Sequence, residues 1–168
     1  LMKDKMIKKG ITILAGSVGS LKSFIGLDWG IKLSNEFNVL YLDTENSIAL
    51  QKDRLKQLKK GYQIEDKKLK LTIAFLNLKF DENGLKRLEK IIIDKKINIV
   101  IIDSLIGVFD GDENLSNDAR EFYRKLQNLI KKYDLSFLIL AHARKSNKKF
   151  SNSTIKELED IRGSSDFV

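Results

Sequence analysis

Residues 11–23 constrain this chain more than any other stretch: an apolar run, Ile11 to Ala15, leads into Gly16-Ser17-Val18-Gly19-Ser20-Leu21-Lys22-Ser23. From Phe24 to Ser34 the apolar residues recur at helical spacing. A short buried strand therefore ends in a glycine-rich turn that opens directly onto a helix. That arrangement aims backbone N–H groups at one point beside a helix N-terminus, which suits an anion. Lys22 supplies an ammonium for the β- and γ-phosphates of a nucleotide, and Ser23 a hydroxyl for Mg²⁺. The spacing approaches the Walker A pattern G-x-x-x-x-G-K-[ST], with Leu21 where the second glycine belongs. Leucine disfavours a positive φ, so the expected loop passes position 21 with a negative φ. An ordinary glycine-rich turn is the competing reading. The candidate nucleotide-binding residues are Gly16, Ser17, Val18, Gly19, Ser20, Leu21, Lys22, Ser23 and Phe24.

Alternation of strands and helices continues beyond this loop. Strands are expected at 38–42, 69–76, 97–102 and 136–140, and helices at 48–60, 82–95 and 118–133, with Asn117 or Asp118 capping the last. Gly61 is expected to break the second helix. Residues 107–117 read as an acidic loop. Residues 144–156 are polar and basic without periodicity, and 157–168 are ambiguous. Strands of nearly unbroken apolar character are buried on both faces. The pattern is α/β, a mostly parallel sheet flanked by helices with right-handed crossovers, in one domain over 1–168. Ligands of such sheets sit beyond the carboxyl ends of the strands, and the remaining candidates all lie there.

Asp103 follows Ile99-Val100-Ile101-Ile102 and reads as a Walker B carboxylate holding Mg²⁺ through water; a turn cap is the alternative. Glu45 follows Val39-Leu40-Tyr41-Leu42 and suits a base that orients and deprotonates an attacking water, with Asp43 competing for the role. His142 is the one histidine of the chain and ends the strand after that of Asp103. An imidazole there can donate to a γ-phosphate and report its presence; a purely structural histidine is the other reading. Arg144, Lys145, Lys148, Lys149 and Lys156 form a candidate contact for single-stranded DNA, with Phe150 placed to stack on a base. The net charge of +8 agrees with a polyanionic partner, although abundant lysine throughout the chain can account for it.

The chain has no cysteine, which removes disulfides, thiol catalysis and cysteine-ligated zinc. No apolar run reaches the length of a membrane span, and no secretory leader is recognisable. A cytoplasmic protein is the expectation.

Six segments together resemble a known family: LAGSVGSLKSFIGLDWG, YLDTENS, IVIIDSL, GDENLSNDAR, LAHARKS and IRGSSD, spread over residues 14–166. They look like the RecA-like P-loop ATPase core of the hexameric replicative helicases, and among these the plasmid RepA-type branch. The resemblance implies ATP and Mg²⁺ as cofactors, with Lys22 and Ser23 on the phosphates and metal. It implies Glu45 as catalytic base, Asp103 as Walker B acid, and His142 as γ-phosphate sensor coupled to the DNA-binding loop after it. It also implies a homo-oligomer, a hexamer, with ATP between subunits and Arg162 near the interface. The family's trans-acting arginine and last core strands would lie past Val168, so the expected core is C-terminally truncated. A recombination mediator or regulatory ATPase on the same fold, and a nucleotide-binding module without turnover, remain alternatives.

Overall fold

A computed structural model of the chain describes residues 6–64, 69–76, 79–109 and 116–142, the side chains of 116 and 117 excepted. The segments with Arg144, Lys145, Lys148, Lys149, Phe150, Lys156 and Arg162 lie outside the described residues, as do 111–114.

The handedness of the strand connections sets the architecture. The elements in chain order are β1 (Ile11–Gly16), α1 (Lys22–Leu33), β2 (Val39–Asp43), α2 (Ile48–Tyr62), β3 (Leu71–Phe75), α3 (Glu82–Lys95), β4 (Ile99–Asp103), α4 (Leu105–Val108), α5 (Ser116–Tyr133) and β5 (Ser136–His142). Every strand pair is parallel and the sheet order is β1-β5-β4-β2-β3. The chain therefore steps outward from β1 to β2 to β3, then returns through β4 to β5. Right-handed crossovers place helices of the outward steps on one face and those of the return on the other. Packing follows this rule. Leu27 and Ile31 of α1 and Leu58 of α2 cluster with Val39, Tyr41, Ile99, Ile101, Leu138 and Leu140. Leu88 and Ile92 of α3 and Phe122, Leu126 and Leu129 of α5 cluster with Leu40, Leu42, Val100, Ile102, Phe137 and Ile139. The three central strands are buried on both faces, which is why their sequences are nearly all apolar.

Two consequences position the site. The exits of the neighbouring strands β2 and β4 run to opposite faces, so a crevice opens at their carboxyl ends. The parallel register pairs Asp43 with Asp103 at that crevice. Period-two alternation then turns both carboxylates to the face of Tyr41 and Ile101, the face that carries α1. Small residues bring α1 close to the sheet: a Cβ at Gly26 would stand 2.8 Å from Leu140 Cδ1, and one at Gly30 3.2 Å from Ile101 Cδ1.

Four local expectations are corrected. Leu21 adopts φ 61°, ψ 19° as N-cap of α1, the left-handed conformation rather than a negative φ. The loop must reverse direction and enter the helix there, and closure outweighs the preference of one residue; the side chain is 69% exposed, so its Cβ meets little. Gly61 does not break α2; the helix runs through Tyr62 and ends on Gln63, whose N–H donates to the carbonyls of Lys59 and Lys60. The acidic loop expected over 107–117 begins later: Gly107 and Val108 belong to a short helix, Leu105–Val108, that buries Val108. Finally, α5 starts at Ser116, so Asn117 and Asp118 lie inside its first turn instead of capping it.

Candidate nucleotide-binding site

Lys22 begins α1 and is 7% exposed. Its ammonium donates to the carbonyls of Gly16 and Ser17, each at 2.8 Å. The loop is thereby folded around the charge that would meet a phosphate. The Ser20 hydroxyl donates to the Ser17 carbonyl at 2.7 Å, and the Ser20 amide to the same oxygen at 3.2 Å. Gly19 has φ 81°. A Cβ at Gly16 would stand 2.7 Å from Ser20 Oγ, so the loop closes tightly over its first glycine. Val18, Ser20 and Leu21 are exposed at the tip, and Phe24 packs partly buried against the α1-side core.

Register puts the next group beside this loop. Gly16 pairs with His142 across β1 and β5, so the last strand delivers the imidazole to the mouth of the turn. His142 Nε2 lies 3.2 Å from each carboxylate oxygen of Glu45. A carboxylate only accepts, so Nε2 carries the proton in this contact. Nδ1 is buried, with no hydrogen-bond partner among the described residues. Glu45 Oε1 also accepts from the Ser104 hydroxyl, which is itself buried.

Asp43, the rival of Glu45, is engaged in shaping the turn. Its Oδ1 accepts from the amides of Asn46 at 2.8 Å and Glu45 at 3.2 Å. This Asx-type turn explains how Glu45 swings out of the strand toward His142. Thr44 ties the two strand ends together: its amide and hydroxyl both donate to the Asp103 carbonyl, at 2.7 and 3.0 Å, and its Oγ1 accepts from the Ser104 amide at 3.0 Å.

Asp103 is 1% exposed. Burial pushes its carboxyl above the ordinary carboxylate range, the hydrogen bonds from Tyr41 and Ser23 oppose that, and the charges of Asp43 and Glu45 add to it. Ser23 and Asp103 thus meet where a hydroxyl and a carboxylate can share a hard cation. The donor set fits Mg²⁺, which binds to one or two protein oxygens and completes its shell with water and substrate phosphates. Among the described residues no group of three or more His, Asp or Glu side chains is poised to hold a metal ion.

Sequence reasoning missed Tyr41, Thr44, Asn46, Arg54 and Ser104. Tyr41 carried a usable signal, since a phenol in an otherwise apolar buried strand needs a partner for its hydroxyl. The others become visible only once β2 and β4 are placed side by side.

A parallel α/β sheet with a phosphate loop at a helix N-terminus and acids at neighbouring strand ends defines a RecA-like P-loop ATPase domain. The family model described as an AAA domain matches residues 1–148, and the chain belongs to that family. No curated protein matches the chain. Among the described residues no helix is long and apolar enough to cross a membrane.

Proposed function

We propose that this chain is the motor domain of a RepA-type hexameric replicative helicase in the cytoplasm, hydrolysing ATP with Mg²⁺ to move along single-stranded DNA. The observation that carries the reading is the contact of Glu45 with His142 at the edge of the phosphate loop, because His142 leads directly into the basic sequence Arg144, Lys145, Lys148, Lys149. One side chain then links the state of the nucleotide to a stretch of chain suited to phosphates and bases.

In this reading Lys22 exchanges the carbonyls of Gly16 and Ser17 for the β- and γ-phosphates, while the loop amides and the α1 N-terminus hold the remaining oxygens. Ser23 would hold Mg²⁺ directly and Asp103 through water; when bound, the ion neutralises charge on the β- and γ-oxygens. Glu45 orients the attacking water and takes its proton as the bond from γ-phosphorus to the bridging oxygen breaks. His142 Nε2 is shared between Glu45 and the γ-phosphate, so loss of the phosphate returns it to Glu45 and shifts the chain that follows. A neighbouring subunit supplies an arginine to the same phosphate, a group worth about 10³–10⁵ in rate in P-loop enzymes.

The test is ATP turnover with and without single-stranded DNA, for the wild type and Lys22→Ala, followed by unwinding of forked DNA. Stimulated turnover that vanishes in Lys22→Ala, with unwinding, supports the motor. Slow turnover indifferent to DNA selects a mediator or regulatory ATPase. Binding without turnover selects a nucleotide-binding module.

A further inference from the structure

Resting on the reading of Asp103 and Ser23 as the magnesium pair, we propose that Tyr41, assisted by Asn46, is a positioning residue that sets the magnesium affinity of the site. Tyr41 Oη lies 2.7 Å from Asp103 Oδ2 and 3.1 Å from the carbonyl of Ser23. It therefore stands between the two elements that carry the ligands: the end of β4 and the first turn of α1. Asn46 Nδ2 reaches the same Oδ2 at 3.2 Å, and also Asp43 Oδ1 at 3.1 Å. Two donors on one oxygen fix the rotation of the carboxylate beside Ser23, the other proposed ligand.

The two donors are held from behind. Tyr41 is wholly buried in the α1-side core, so its ring cannot swing away. Asn46 Oδ1 accepts from Arg54 Nη1 at 3.2 Å, which fixes its amide orientation with the nitrogen toward the acids. A tyrosine kept only to fill the core would need its ring and not its hydroxyl, and the test separates these roles.

The experiment titrates Mg²⁺ into each protein with a fluorescent ADP analogue and reads the half-saturating Mg²⁺ concentration, alongside analogue affinity in EDTA. Tyr41→Phe keeps the ring and removes the hydroxyl. Its half-saturating Mg²⁺ is expected to rise about 10-fold, the low end of the effect of groups that orient metal ligands. Affinity in EDTA should stay within about twofold. Asn46→Ala should shift Mg²⁺ dependence in the same direction and serves if Tyr41→Phe does not fold. Unchanged Mg²⁺ dependence in a folded variant, or a loss of analogue affinity equal with and without Mg²⁺, overturns the proposal. A wild type whose binding ignores Mg²⁺ would instead overturn the magnesium pair itself, and this inference with it.

Discussion

Leu21→Gly should stabilise the protein. Leu21 sits at φ 61°, ψ 19°, where a Cβ crowds the following carbonyl at a cost of about 1–2 kcal/mol. Glycine has no such penalty. Little packing is lost, because the leucine side chain is 69% exposed. Against the gain stands the greater freedom of glycine in the unfolded chain, about 0.4–1 kcal/mol. Glycine is also the better N-cap, which adds a few tenths. The balance is about 1 kcal/mol in favour of the variant. For a chain of this size that amounts to about 2–4 °C in Tm. Thermal unfolding followed by circular dichroism, without nucleotide, measures it. Leu21→Ala is the control, since it removes the exposed side chain but keeps the Cβ and so keeps the strain. A Leu21→Gly variant that melts at or below the wild type refutes the argument. So does a Leu21→Ala variant that gains as much as Leu21→Gly.

Three further outcomes follow from the same geometry. Gly107→Ala should cost about 1–3 kcal/mol and lower ATP turnover, because its Cβ would overlap Thr44, the residue that ties β2 to β4 beside Glu45; urea midpoints and turnover check it. Asp103→Asn should abolish turnover yet raise stability at pH 7 without metal or nucleotide. The Asp103 carboxyl is raised by burial, so the folded state binds more protons than the unfolded state above the ordinary value of 3.8, and its stability falls as pH rises through that window; the advantage of Asn should shrink as urea midpoints are taken toward pH 4. Asp81→Ala removes the side chain that caps α3 by accepting from Gly84 N at 2.7 Å, and should cost about 1 kcal/mol with turnover unchanged.

The layers of this fold were legible because burial writes itself into composition. Strands flanked by helices on both faces must be apolar throughout, and Val39–Leu42, Ile99–Ile102 and Phe137–Leu140 are. Once those strands alternate with helical periodicity, handed crossovers leave few arrangements. The expectations that failed were local ones judged residue by residue. Gly61 reads as a helix breaker, but a Cβ there would meet no atom of the described residues within 4 Å, so its exposed position carries only the modest intrinsic cost of glycine. Packing of Leu58 and the terminal hydrogen bonds of Gln63 carry α2 past it. Leu21 fails in the same way: the turn between β1 and α1 is closed by Lys22 and Ser20, and it fixes the backbone of position 21 from outside.

The site divides along a different line. Groups proposed to act on a ligand through their own chemistry, such as Lys22, Ser23, Asp103 and Glu45, stand at strand or helix ends and can be picked from the sequence. The groups that aim them cannot. Tyr41 lies 62 residues from Asp103 along the chain, Ser104 lies 59 from Glu45, and Glu45 lies 97 from His142. Only the sheet order, with β4 between β2 and β5, brings these pairs within hydrogen-bond distance. The choice between Asp43 and Glu45 shows why this matters. From sequence both are acids at the end of one strand. In the fold, alternation turns Asp43 back over its own turn, where two backbone amides engage it, and that turn carries Glu45 across to His142 and Ser104. Asp43 therefore acts on the site by shaping the path of Glu45. Asp43→Asn keeps an oxygen to accept from those amides and should disturb the site less than Glu45→Gln, which leaves no carboxylate to take a proton; a drop in turnover as deep in Asp43→Asn as in Glu45→Gln would reverse the assignment.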